Sequence, residues 1–93
     1  MRQLVLEVGG LVEASSRYKK DDLAYWLDGR EIAHLEDNNV LDLRLTRGVI
    51  RQFKGDPRVV RRGSSDWAAL EVSQEDSEFV KELVARAIEA NGQ

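Results

Sequence analysis

The sequence predicts a single α+β domain: an antiparallel sheet of about five or six strands with helices packed on one face, the last of them a C-terminal amphipathic helix. Three observations carry this expectation. Short runs rich in aromatic and branched residues alternate with turn signals, the pattern of strands joined by hairpins. Asp28-Gly29 stands between two such runs, and glycine accepts the positive φ that a two-residue hairpin turn requires. Phe79, Val80, Leu83, Val84, Ala87 and Ile88 recur at helical spacing late in the chain. With helices on one side, the opposite sheet face is left for binding.

Element by element, Met1 to Val8 fits a short helix leading into Gly9-Gly10, although the run is too short to separate helix from strand. Leu11 to Ser15 is a first strand, followed by the charged loop RYKKDD. LAYWLD then pairs with REIAHLE across Asp28-Gly29. The turn DNN leads into VLDLRL, where leucines at 41, 43 and 45 alternate with Asp42 and Arg44, so one face of this strand is wet. Thr46 is placed to cap a helix from Arg47 to about Lys54, with Gly55 at its end and Pro57 beyond. RVVRR and DWAALEVS read as two more strands around the turn GSSD. Ser73, with Asp76 three residues on, resembles a capping box and opens the last helix, which ends at Asn91-Gly92.

Composition narrows the functional classes. A chain of 93 residues with 42% hydrophobic and 33% charged residues and a net charge of -3 suits one soluble globular domain, with the cytoplasm as the default location. The absence of cysteine excludes disulfides, thiolate metal sites and a cysteine nucleophile. Any chemistry then falls to His34, carboxylates, hydroxyls or a borrowed cofactor, and the sequence points to no particular cofactor. The opening MRQLVLEVGG is apolar for too few residues to act as a secretory signal, and nothing later approaches a membrane span.

The stretch IAHLEDNNVLDLRL holds the only histidine. If DNN is a three-residue loop, residue 36 pairs with 40, and His34 lies opposite Asp42, Leu35 opposite Leu41, Ala33 opposite Leu43 and Ile32 opposite Arg44. A two-residue turn at Asp28-Gly29 pairs 27 with 30, which sets Tyr25 opposite Ile32 and Leu23 opposite His34. His34, Glu36, Asp42 and Arg44 then share a face with Tyr25 as a wall. Cross-strand Cβ atoms ~5 Å apart allow a His34 to Asp42 hydrogen bond. Asp42 can orient the imidazole while Glu36 or Arg44 works beside it, as an acid/base pair or part of a metal site; an ordinary cross-strand polar pair gives the same pattern. One histidine with acids is too little to assign metal ligands, and no phosphate loop or serine elbow accompanies it.

A second candidate is the basic segment from Arg44 to Arg62, where Arg47, Arg51, Lys54, Arg58, Arg61 and Arg62 form an anion-binding set with Asp56 as the only acid among them. The sequence pI of about 5.1 and the acidic last helix weigh against nucleic acid as the partner. Trp26 and Trp67 fit core or rim packing better than base stacking.

The segments GREIAHLEDNNVLDLRLTRGVIRQF, SSDWAALEV and DSEFVKELVARAIEAN together resemble the luciferase-domain family of small bacterial and fungal proteins, over most of the chain from Gly10 onward. That pattern has a strand bearing His-x-His, a glycine-containing turn, Asp-Leu-x-Leu, a basic helix and a tryptophan before the last strand; His34, Asp42, Leu43, Leu45 and Trp67 match it. Glu36 stands in place of the second histidine, and Asn38-Asn39 where glycine is common. The resemblance implies the fold and directs attention to the face around His34. It implies neither light emission nor a flavin.

A non-catalytic binding or interaction module, using Tyr25, His34, Glu36, Asp42, Arg44 and Trp67 toward a small molecule or protein, is the leading expectation. A small hydrolase-like or metal-dependent enzyme with His34 and Asp42 as its acid-base pair comes second, and an anion or nucleic-acid binder third. A homodimer through an exposed edge strand is compatible with all three.

Overall fold

The computed structural model describes residues 2–17, 23–36, 40–63, 65–71 and 74–92. The expected turn at Asp37 to Asn39, most of the loop before Leu23, and Ser73 lie outside them. Six strands form one antiparallel sheet: β1 (Val12–Ser15), β2 (Leu23–Leu27), β3 (Arg30–Glu36), β4 (Val40–Arg44), β5 (Val59–Arg61) and β6 (Trp67–Leu70), in the order β1-β2-β3-β4-β6-β5. Three helices accompany it: α1 (Arg2–Val8), α2 (Arg47–Gln52) and α3 (Ser77–Asn91). The predicted α+β class holds, and the opening segment resolves to a helix.

The hairpin between β2 and β3 turns on Asp28 (φ 50) and Gly29 (φ 82), with Leu27 paired to Arg30 as the Asp-Gly signal requires. Past Trp26 in the same strand pair, the expected pairing fails. Tyr25 lies opposite Ala33, Ala24 opposite His34 and Leu23 opposite Leu35, because β3 has one extra residue, Ile32, between the partners of Tyr25 and Trp26. This bulge has a physical reason. On a regular pleat Glu31 would share the Ala33 and Leu35 face and enter the core, while Ile32 would point away from it. An unpaired carboxylate in an apolar core is strongly unfavourable, and leaving an isoleucine in water forgoes roughly 1.5–3 kcal/mol. The extra residue turns Ile32 inward and Glu31 outward. Ile32 joins the core and does not face Arg44, and Tyr25 is buried there rather than forming a wall beside His34.

Between β3 and β4 the expected register is observed: Ala33 with Leu43, His34 with Asp42, Leu35 with Leu41 and Glu36 with Val40. Tyr25, Ala33, Leu35, Leu41, Leu43, Ala68 and Leu70 from one sheet face pack with Val5 of α1, Ile50 of α2 and Val80, Leu83, Val84 and Ala87 of α3 in a single cluster. Burial pushes the Tyr25 phenol well above its ordinary pKa, and the Glu13 carboxylate opposite it on β1 adds to this. The bidentate pair from Arg2 to Glu13, at 2.8 and 2.6 Å, ties α1 to the edge of the sheet.

Two helix starts differ from expectation. Thr46 occupies the residue before α2 but makes no side-chain capping bond; Asp66, from the turn before β6, accepts from the Arg47 amide instead at 3.1 Å. The segment ahead of α3 begins as a 3₁₀ turn over Gln74–Asp76, and the α-helix proper starts at Ser77. Asp76 is drawn to Arg58 at 3.4 Å and makes no side-chain cap of α3. The α2 helix also stops at Gln52, short of Lys54, with Gly55 at φ 92 turning the chain toward β5.

This packing sets a stability contrast. Leu43→Ala, in the middle of the buried face, is expected to cost about 2–5 kcal/mol by urea denaturation, whereas Val12→Ala stays within about 0.5 kcal/mol because Val12 is 66% exposed. Similar costs for the two variants would contradict the assignment of faces.

Candidate functional site

Opposite the core, the row Ala14, Ala24, His34, Asp42, Ala69 and Val60 runs straight across the sheet. His34 and Asp42 stand at its centre with Ala24 and Ala69 on either side, and Ala24, Asp42 and Ala69 are all buried. His34 Nε2 is 2.8 Å from Asp42 Oδ2 and 3.6 Å from Glu36 Oε1. Its other nitrogen, Nδ1, lies 3.3 Å from Glu31 Oε2. The imidazole is thus flanked by carboxylates at both nitrogens, and Trp67 packs beside the ring with centroids 5.3 Å apart.

Each carboxylate is held by a different part of the chain. Glu31, with only 1% of its side chain exposed, accepts from Ser16 Oγ at 3.0 and 3.2 Å and from the Arg17 amide, so the chain leaving β1 folds onto it. Asp42, at 6%, takes Arg62 Nε at 3.2 Å and Nη2 at 3.1 Å on its Oδ1. Glu36 is the most open of the three, at 27%.

The electrostatics follow from this crowding. Burial pulls the His34 pKa down, but the hydrogen bond to Asp42 and the charges of Asp42, Glu31 and Glu36 more than reverse this, so the ring titrates above its ordinary 6.5. Asp42 is pushed up by burial, yet its hydrogen bonds to His34 and Glu36, with the His34 and Arg62 charges, hold it below 3.8. Glu31, Glu36 and Asp42 thus surround the imidazole, with the Arg62 guanidinium on the far oxygen of Asp42. One donor atom each from His34, Glu36 and Asp42 lie within 4.8 Å of one another, a grouping able to hold a metal ion.

Of the residues singled out in the sequence, the fold brings together His34, Glu36, Asp42 and Trp67. It removes Tyr25 to the core. It also takes Arg44 away from the histidine: the guanidinium is bound to Asn91 at the end of α3 and to Asp66 at 3.2 Å, while the Asn91 amide donates to the Arg44 carbonyl at 2.8 Å. The basic segment is divided in the same manner. Arg47 is 3.8 Å from Asp66, Arg58 is held by Asp56 at 2.9 Å and lies 3.6 Å over the Phe79 ring, and Arg62 belongs to Asp42. Arg51, Lys54 and Arg61 line a separate groove. Sequence reasoning missed Glu31 and Ser16. The usable signal was REIAHLE itself, since apolar residues at 32, 33 and 35 cannot share one face of a regular strand.

No family model, curated protein or solved structure matches the chain. Among the described residues, no helix is long and apolar enough to cross a membrane.

The two titrations have definite signs. His34, raised, contributes stability that is full below about 6.5 and is lost as pH rises through its folded midpoint; Asp42, lowered, contributes stability that is full above 3.8 and is lost as pH falls through its own. Their joint contribution is therefore greatest between these limits. The His34 ring protons, followed by NMR, should titrate with a midpoint above 6.5 that drops in Asp42→Asn; a midpoint at or below 6.5 would show that the carboxylates do not hold the proton.

Proposed function

We propose that the protein is a non-catalytic binding module whose sheet face takes a divalent transition-metal cation at His34, Glu36 and Asp42. The observation that carries this is the convergence of one donor atom from each within 4.8 Å. Ligand atoms around a tetrahedral zinc, ~2.0 Å from the metal, stand about 3.3 Å apart. Rotation of the Glu36 side chain, the most open of the three carboxylates, can close that difference. The cation replaces the proton shared between His34 Nε2 and Asp42 Oδ2, 2.8 Å apart.

The surroundings support the same role. A histidine that binds metal through Nε2 commonly turns Nδ1–H toward a carboxylate, which fixes the tautomer and raises ring basicity. Glu31 stands at 3.3 Å on that side, anchored in turn by Ser16. Arg62 on the outer oxygen of Asp42 leaves Oδ2 directed at the histidine. General acid/base work is less well served, because a catalytic imidazole needs one nitrogen turned toward substrate. Here both nitrogens face carboxylates. The proposal includes a cytoplasmic setting and a place in the luciferase-domain family, whose pattern has histidine at both 34 and 36. Glu36 then keeps a ligand, of acidic type, in the second place.

Calorimetric titration with zinc and manganese tests the proposal. One cation should bind per chain, with binding abolished in His34→Ala and weakened at least tenfold in Glu36→Gln, while Arg44→Gln leaves it unchanged. Affinity should also rise with pH until His34 is fully deprotonated, because metal and proton compete for Nε2. Absence of stoichiometric binding, or binding that survives His34→Ala, would sink it.

A further inference from the structure

The helix-bearing side of the sheet carries a second feature, independent of His34. Between α2 and the edge strand β5 lies a groove of about 520 Å³ lined by Ile50, Phe53 and Val59 on the apolar side and by Arg51, Lys54 and Arg61 on the charged side, with Gly55 at the turn. A space of this size is typical of small-molecule sites, which combine an apolar lining with a few convergent polar groups. Its cations differ from the rest of the basic segment. Among the described residues, Arg44 and Arg47 share Asp66, Arg58 has Asp56 and Asp76, and Arg62 has Asp42, whereas no acid pairs with Arg51, Lys54 or Arg61. Three like charges around one groove repel each other, and an anion placed among them relieves that repulsion.

We propose that this groove binds a soluble amphiphilic anion: a phosphate monoester whose head lies among Arg51, Lys54 and Arg61 and whose short apolar body rests on Ile50, Phe53 and Val59. Guanidinium groups match phosphate oxygens through paired N–H donors, and the ammonium of Lys54 adds a point charge. The aromatic floor is braced from behind. Phe53 meets Phe79 edge to face with centroids 5.9 Å apart, and Arg58 covers Phe79. The body of the ligand is required because three exposed cations alone hold inorganic phosphate weakly in water. A soluble molecule is favoured over a lipid headgroup in a bilayer by the net charge of -3, which repels an anionic membrane surface as a whole.

The probe is octyl phosphate, kept below its micelle-forming concentration and followed by backbone amide NMR of the full chain. Saturable shifts are expected for amides in the segments 50–55 and 59–61, with His34 and its neighbours unmoved. Inorganic phosphate and 1-octanol, each holding half of the chemistry, should bind at least tenfold more weakly. The double variant Lys54→Gln with Arg61→Gln should lose at least tenfold in affinity, and Arg47→Gln should bind as the unaltered chain does. The proposal is overturned by absence of saturable shifts, by shifts centred on His34, or by either half-probe binding as well as the whole. Unchanged affinity in the double variant would also overturn it, as would sedimentation of the protein with phosphatidylglycerol and phosphatidylcholine vesicles.

Discussion

Strand β3 has to bury Ile32, Ala33 and Leu35 on one side of the sheet while keeping Glu31 out of an apolar core, and a regular pleat cannot do both. The bulge at Ile32 resolves the conflict, and much else depends on it. It moves Tyr25 into the core opposite Ala33, closes the cluster formed with the three helices, and delivers Glu31 to the face where His34 stands. Without the extra residue, the histidine would have a carboxylate partner on one nitrogen only. One irregularity in pairing therefore completes the core and builds the polar cluster behind it.

That cluster is a chain of polar contacts running across the sheet, from Arg62 through Asp42 and His34 to Glu31 and Ser16. Burying such groups is costly unless each finds a partner, and partners here come from both ends of the sheet: the segment after β1 and the segment after β5. A hydrophobic replacement would pack the same space at less electrostatic cost. Three carboxyl groups around one imidazole hold its proton firmly. The raised His34 pKa and the lowered Asp42 pKa are two expressions of that arrangement.

The two faces of the sheet thus present opposite electrostatic characters within a small molecule. The face with His34 gathers carboxylates, whereas the groove between α2 and β5 gathers cations over an apolar floor. Pairing of the remaining arginines keeps these regions distinct. Asp66 takes Arg44, lies 3.8 Å from the exposed Arg47 guanidinium and receives the Arg47 amide, so one acidic residue in a turn both starts α2 and pairs with two arginines. A segment with Asp56 as its only acid in sequence thus does not become a continuous basic stripe in the fold.

Features governed by local chemistry were legible in the sequence. Asp28-Gly29 permits the left-handed backbone of its hairpin, alternation in VLDLRL separates a buried from a polar face, and the period of the last helix matches its buried side; together these determined the α+β class and the pairing of His34 with Asp42. Tertiary structure decided what depends on residues distant along the chain. It set the bulge through competition between Ile32 and Glu31 for the core, replaced Thr46 by Asp66 at the start of α2, and drew Arg44 to Asn91, 47 residues away. It also chose which basic residues have no acidic partner among the described residues and line the groove. Such outcomes require the balance of burial and charge across the whole fold, which no local window of sequence contains.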